Sequence, residues 1–324
     1  MRHGIRPTVG HTQGVTTLEM LPPVERRAAV PLAVGAAACA LAVAVLYVLA
    51  VRTRTGQQVD EAVVRGAVQL LGTSQWSLTG RLQRVNAVST GVVAVVVAGV
   101  ALVRRRPRLA AVTAVVVVGS LANVEVLKRT VLGRPGLVPT DYARGHASFP
   151  SGHTAVGMVL AVALVMALPL RARPWAWVGA GLFGATFGVS TVLSANHRPS
   201  DVVAGHLVVL AWVLAGSAVL VAWRGSVDRA DPPPRSVRWP VTVLVSVGSV
   251  AGLGAVVMTA VVVLLDPSDV ATMRSSFFVL AVLALTAEAA FVTVGLLVVY
   301  RSLSLDPVRR SGGEQASALG DAAG

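Results

Sequence analysis

Long, continuous blocks of apolar residues constrain the fold of this chain more than any other feature of its sequence. Each block is close to the roughly 20 residues that an α-helix needs to cross a bilayer. Hydrophobic residues make up 54% of the chain and charged residues 13%, whereas a soluble domain carries about 25% charged residues. A membrane β-barrel would alternate apolar and polar residues instead. The sequence therefore predicts an all-α, polytopic transmembrane helical bundle.

Eight blocks are long enough to be spans, at about 29–51, 87–103, 109–127, 154–170, 175–195, 202–223, 240–265 and 277–300. A proline-rich linker, 224–239, separates a six-span core, 29–223, from a C-terminal two-span hairpin, 240–300. We expect a cytoplasmic N-terminal segment, 1–28, and a disordered cytoplasmic tail, 301–324. The stretch 52–86 has helical periodicity, which predicts an amphipathic helix along the outer membrane surface.

The distribution of arginine predicts how the chain is oriented. The net charge is +13, but the basic residues form short clusters between apolar blocks, as at 104–108. That pattern is typical of cytoplasmic loops, and it lacks the basic face of a nucleic-acid-binding domain. We therefore expect a multi-pass protein of the cell membrane with both termini cytoplasmic, no nucleic-acid partner and no cleavable signal peptide. The single cysteine, Cys39, excludes an intrachain disulfide and a cysteine metal site.

Three polar stretches interrupt the apolar blocks, and this topology places all three at the outer face. The first contains Lys128 and Arg134, the second is Pro150–Ser151–Gly152–His153 at the start of the fourth span, and the third contains His197 and Asp201. A helix start binds anions through its free N–H groups. Ser151 can donate to a phosphate there, or it can simply cap the helix.

The other polar residues also have two readings each. Spaced i, i+4, His197 and Asp201 can form a nucleophile oriented by a carboxylate, or only a hydrogen bond at a helix start. Lys128, the only lysine in the chain, and Arg134 can neutralise a phosphate, or Lys128 can be a snorkelling residue at a span end. Together they provide charge neutralisation, a nucleophile and an acid, as phosphoryl transfer requires.

These motifs resemble the type 2 phosphatidic acid phosphatase (PAP2) superfamily, whose pattern is K-x6-R-P, P-S-G-H and S-R-x5-H-x3-D. P-S-G-H is complete at 150–153, and H-x3-D is complete at 197–201 before V-V-A-G. Motif order, spacing and the six spans match over roughly 30–223. The resemblance implies a lipid phosphatase in which His197 becomes a phosphohistidine, Asp201 orients it and His153 protonates the leaving oxygen. It also implies no metal and no organic cofactor, with phosphate held by Lys128, Arg134, Ser151 and Gly152.

The chain departs from the family pattern at two positions. The first motif reads K-x5-R-P, one residue short, and Thr191 stands where the third motif has arginine. A threonine cannot neutralise phosphate. Because Arg198 is the only basic residue in that stretch, we hypothesise that it binds the phosphate instead.

Three functions remain open at this point. The first is a lipid phosphatase at the outer leaflet, acting on a polyprenyl phosphate or pyrophosphate or a phosphatidate-like lipid. The second is a transporter using Glu125 and Glu288, although such carriers spread ionisable residues over inverted repeats and we find no repeat. The third is a catalytically degenerate member, which Thr191 favours. We expect Glu125 to pair with Lys128 and His206 to pack or bond between helices.

Overall fold

The computed structural model describes residues 23–72, 107–140, 148–168, 173–224, 238–265 and 270–302, with isolated positions between 91 and 103. Within these ranges the protein is helical, without strands. Six described helices are long and apolar enough to cross a membrane, and Gly152–Val165 forms a shorter apolar helix. The predicted multi-pass, all-α architecture is confirmed at this level. The predicted span 87–103 and most of segments 1–28, 224–239 and 301–324 lie outside the described residues.

The described helices follow the predicted apolar blocks. Two of them end in a π-helical turn: α1 continues through Tyr47–Val51 and α3 through Leu127–Val131. In chain order the helices are α1 (Pro23–Leu46), α2 (Arg54–Leu71), α3 (Pro107–Val126), α4 (Gly152–Ala167), α5 (Arg173–Leu193), α6 (Pro199–Arg224), α7 (Arg238–Leu265) and α8 (Val270–Ser302).

Apolar faces hold the spans together. Helix α6 packs along α1, α3 and α4, and α4 packs along α5, so α6 is central to the bundle. Buried aliphatic side chains fill this core, among them Leu109, Val159 and Leu220. Many other apolar side chains on α1, α6 and α7 are exposed, as expected where lipid replaces water around a helix.

The amphipathic helix α2 is confirmed, but its polar face is not turned to water. It packs on α8 as well as on the turn at the end of α1. Gly66 permits this contact, because a Cβ atom there would lie 2.3 Å from the carbonyl oxygen of Arg274. Val63 and Ala67 of α2 share a buried cluster with Phe278 of α8. Helix α2 is therefore packed between α8 and the turn at the end of α1.

Helix α8 also reaches the core within the span region. Packed along α7, it contacts α5 and α6 too. His206 Nδ1 of α6 lies 2.7 Å from Glu288 Oε2 of α8. The expectation of an interhelix hydrogen bond for His206 is thus correct, and Glu288, which the sequence left without a partner, has one. An acid inside a membrane span normally needs such a partner.

Candidate active site

The starts of α4 and α6 meet at one end of the core. Ser151 caps α4, accepting a hydrogen bond from the Thr154 amide at 3.2 Å. Its own amide donates to the carbonyl of Asp201 at 2.9 Å, which joins the two helix starts. Gly205 makes this approach possible, because a Cβ there would lie 2.8 Å from the Ser151 carbonyl oxygen. The second and third motifs are therefore in direct contact, and Ser151 does act as a cap.

The predicted nucleophile and acid face each other across this junction. The rings of His153 and His197 have centroids 5.7 Å apart and are tilted by 58°. His197 Nδ1 lies 3.6 Å from Asp201 Oδ2, which is longer than a hydrogen bond. Catalytic hydrogen bonds are often this loose without substrate and tighten when it binds. Asp201 is completely buried and His197 is 8% exposed.

Local backbone bonds hold His197 in this place. The turn between α5 and α6 folds back so that the amides of Asn196 and His197 both donate to the Thr191 carbonyl. Ala195 in this turn has a φ of 53°, a left-handed conformation that is uncommon outside glycine. The Asp201 carboxylate accepts from the Arg198 amide at 3.0 Å, the reciprocal half of a capping box, while Pro199 starts α6.

The first motif reaches the same junction despite its shorter spacing. Lys128 Nζ lies 3.2 Å from where a Gly152 Cβ would stand. It bonds Glu125 Oε1 at 2.9 Å, as the sequence led us to expect. Arg134 is buried and lies 3.5 Å from Asp201 Oδ1. Lys128, at a π-helical turn, and Arg134, after it, thus contact the second and third motifs respectively.

Arg198 is also drawn into the site. Its guanidinium donates to Glu61 at 3.2 Å and to Ser148 at 3.3 Å. Together with Arg134 it lines a cavity of about 10 Å³, about the space of one water molecule. By contrast, Thr191 donates to the Gly188 carbonyl of its own helix at 2.7 Å. Of Thr191 and Arg198, it is therefore Arg198 that brings a positive charge to the site.

Sequence reasoning missed the polar face of α2. Asp60 accepts from Arg134 at 3.0 Å and from the Ser200 hydroxyl at 2.5 Å. Glu61 holds Arg198, and the Gln57 amide donates to the Pro135 carbonyl at 2.7 Å. The spacing 57, 60, 61 is i, i+3, i+4, which places the three on one helix face. That spacing was the available signal, but it did not say which surface the face would meet.

The environment of Asp60 changes its protonation. Burial, followed by the negative charge of Asp201, raises the pKa of Asp60 to about 6, although Arg134 and Ser200 act in the opposite direction. A carboxyl with this pKa changes its charge slightly below neutral pH. Asp60 is therefore a titratable member of the cluster rather than a permanently charged one.

Several buried nitrogen atoms of the site lack an acceptor. Among the described residues, these include Nε of Arg134, Nε of Arg198 and Nδ1 of His197. A buried donor left unpaired is costly and usually marks a missing partner. Since two of these donors are guanidinium N–H groups, the partner they fit is an anion. No group of three or more His, Cys, Asp or Glu suited to a metal occurs in the described ranges.

An apolar groove lies beside this cluster. It has a volume of about 460 Å³ and runs between α1, α3 and α6. Leu127 and Leu132, on either side of Lys128 in the sequence, form part of its lining, while Ala36 and Ala215 lie far from them along α1 and α6. The groove volume is within the range of ligand pockets of proteins. Apart from Asn123, the residues that line it are apolar, and such a surface suits a hydrocarbon chain.

Comparison with known proteins agrees with the motifs. Neither the curated proteins nor the solved structures give a match to this chain. Residues 85–226 match the PAP2 superfamily, and this range contains all three motifs. The protein is therefore a membrane protein that is similar over residues 85–226 to the PAP2 superfamily, a family of phosphatases that act on phosphoesters.

Proposed function

We propose that this protein is an integral membrane lipid phosphatase that works through a phosphohistidine on His197. The observation that carries the proposal is the junction of three cations and two histidines around a buried carboxylate. Lys128, Arg134 and Arg198 provide the charge that a phosphate requires. Histidines 153 and 197 provide the acid and the nucleophile.

The reaction has two steps. In the first, Nε2 of His197 attacks phosphorus, the bond from phosphorus to the lipid oxygen breaks, and His153 gives its proton to that oxygen. In the second, water attacks the phosphohistidine, the P–N bond breaks, and His153 takes the proton from water. Asp201 stabilises the positive charge that His197 gains, since it lies 3.6 Å from Nδ1.

The substrate class follows from the groove beside the cations. A lipid with a single phosphate or pyrophosphate can place its headgroup among Lys128 and Arg134 and its tail along Leu127 and Leu132. Polyprenyl phosphates, polyprenyl pyrophosphates and phosphatidate-like lipids share this chemistry. The groove supports a lipid over a soluble phosphoester, because its mostly apolar lining can hold a hydrocarbon tail, which a soluble phosphoester lacks.

We place the site at the extracytoplasmic face, with both termini cytoplasmic, from the arginine clusters between the spans. We also retain a six-span core, 29–223, followed by a two-span hairpin, 240–300. Two observations support this division. The PAP2 match ends at residue 226, and α7 packs along α8.

The test is phosphate release from purified protein in detergent, with EDTA present. Wild type is given polyprenyl pyrophosphate, polyprenyl phosphate, phosphatidate and the soluble p-nitrophenyl phosphate. We expect metal-independent release that prefers a lipid and falls by at least about 10⁴-fold in His197→Ala, with a phosphohistidine trapped by acid-free quench in wild type alone. A wild type inert on every lipid would favour a degenerate member, and release that stops with EDTA would overturn the mechanism.

A further inference from the structure

Helix α2 lies before the segment that matches the PAP2 superfamily, yet it supplies buried groups to the site. Asp60 is 4% exposed although it carries a carboxyl group. Burying a carboxylate is costly unless it is paired and hydrogen-bonded. The fold retains this group at the junction of the motifs, and the contacts it makes there indicate its role.

Asp60 joins two parts of the proposed machinery. One oxygen lies 3.0 Å from the guanidinium of Arg134. The carboxylate also accepts from the Ser200 amide at 3.3 Å and from its hydroxyl at 2.5 Å. The Ser200 amide is among the free N–H groups at the start of α6, so Asp60 caps the helix that carries Asp201.

The position of Arg134 depends on this arrangement. Its guanidinium lies between Asp60 at 3.0 Å and Asp201 at 3.5 Å, while Nε has no acceptor among the residues that the structure describes. Two carboxylates fix the plane of a guanidinium and leave its remaining donors for a third anion. Without Asp60, Arg134 would have only the longer contact to Asp201, and it could rotate away from the nucleophile.

The support for Asp60 comes from outside the core. Gly66 places α2 directly on the backbone of α8, and Gln69 donates to Ser275 at 3.2 Å. The C-terminal helix α8 thus holds the helix that carries Asp60. This gives α8 a connection to the site although none of the three motifs lies on it.

We propose that Asp60 is a positioning residue, whose ionised carboxylate orients Arg134 for phosphate binding and caps the start of α6. The proposal rests on the phosphatase function proposed above. The charged groups that face Asp60 are Arg134, from the segment after α3, and Asp201, from α6, within the described ranges. The ionised carboxylate of Asp60 orients Arg134. The protonated carboxyl is neutral and no longer does so.

The direction of the pH effect follows from the raised pKa of Asp60, about 6. Below that pH the wild-type carboxyl is neutral, so it resembles the amide of Asp60→Asn. Above it, the wild type gains the orienting charge and the variant does not. In the ratio of wild-type to variant kcat/KM, the effects of all groups that titrate alike in both proteins cancel, including the histidines and the substrate.

The experiment measures kcat/KM of wild type, Asp60→Asn and Asp60→Glu from pH 4.5 to 8.5 on the preferred lipid. We expect a wild-type to Asn ratio close to one at low pH that rises to the order of 10-fold above pH 6. Asp60→Glu should recover part of this rise. Gln58→Ala, an exposed change on the same helix, should behave as wild type.

A second readout separates positioning from a purely structural role. In an Arg134→Gln background, Asp60→Asn should change kcat/KM by less than about twofold, because its effect passes through Arg134. A constant ratio at all pH values, or equal losses in both backgrounds, would reduce Asp60 to a structural residue. A ratio below one at high pH would mean that Asp60 competes with the substrate for Arg134.

The two proposals fail in different ways. Wild-type protein without lipid phosphatase activity overturns the proposed function and this inference with it. An active wild type whose Asp60→Asn variant shows a flat ratio overturns this inference alone. If Asp60→Asn does not fold in detergent, Asp60→Glu serves as the test variant. Because its carboxylate is longer, the midpoint of its kcat/KM profile against pH should differ from that of the wild type. An unshifted midpoint would count against the proposal.

Discussion

The arginine side chains at this site are held in position by the buried acids that contact them. Arg134 lies between Asp60 and Asp201, and Arg198 is held by Glu61 and its own backbone bond to Asp201. Each cation is therefore held by buried acids before any phosphate arrives. Under the proposed function, a phosphate meets oriented donors and does not have to order flexible ones, which reduces the entropic cost of binding.

The substitution most informative at the residue scale is Arg198→Ala. If Arg198 replaces the arginine missing at Thr191, its loss should lower kcat/KM by about 100-fold, because a buried charge opposite the phosphate disappears. Arg198→Lys, which keeps a charge but not the fork, should lose less. Steady-state kinetics on the preferred lipid checks this, with exposed Arg52→Ala as control.

Full activity in Arg198→Ala would contradict this assignment. The natural next variant would then be Thr191→Arg, which restores the arginine of the family pattern. A gain of activity on that change would show that the third motif is weakened in this chain and that Arg198 does not compensate.

At the scale of elements, the site depends on how closely α4 and α6 approach. The contact is made by backbone, through the Ser151 amide and the Asp201 carbonyl, and Gly205 leaves the room for it. Two helix starts placed together concentrate free N–H groups at one point. The proposed anion site is thus built from two elements, neither of which holds all the residues that we propose as catalytic.

Gly205→Ala should therefore damage the site without touching a catalytic side chain. A Cβ at this position would lie 2.8 Å from the Ser151 carbonyl oxygen, so the helices must separate. We expect a loss of about 1–3 kcal/mol of stability and a fall in kcat/KM of about tenfold or more. Thermal unfolding in detergent and lipid kinetics measure the two effects.

The matched control is Gly179→Ala on α5, where an added Cβ meets nothing within 4 Å. That change should be neutral or stabilise the helix by about 0.5–1 kcal/mol. Equal behaviour of the two variants would show that the approach of α4 and α6 does not limit activity.

For the whole molecule, the decisive question is which end of the bundle faces the cell exterior. Helix α3 with its π-helical turn runs from Pro107 to Val131, so its two ends report on opposite sides of the membrane. The arginine cluster 104–108 lies next to one end and the first phosphate motif at the other.

Single cysteines can read this orientation in a Cys39→Ala background, since Cys39 is the only cysteine of the chain. Gly133→Cys, at an exposed and open position, should react with a membrane-impermeant maleimide in intact cells. Pro107→Cys, also exposed, should react only after permeabilisation. The opposite pattern would place the site in the cytoplasm and reverse the proposed topology.

How much of the structure the sequence predicts depends on how far apart in the sequence the interacting residues lie. Apolar blocks predicted seven described helices to within a few residues, except that α1 begins at Pro23, before the expected 29, and α8 at Val270, before the expected 277. The i, i+4 spacing of His197 and Asp201 predicted that the two side chains lie near each other, although His197 lies in the turn before α6, which begins at Pro199. Glu125 with Lys128 was equally predictable, since three residues separate them.

The sequence by itself determined the membrane bundle and identified the candidate site residues, because hydrophobic length and motif spacing are properties of neighbouring residues. Only the tertiary structure decided that Asp60 meets Arg134, that Glu61 meets Arg198, and that Glu288 meets His206. These partners lie 74, 137 and 82 residues apart. Which polar face meets which is set by helix packing, and no local pattern encodes that pairing in a single sequence.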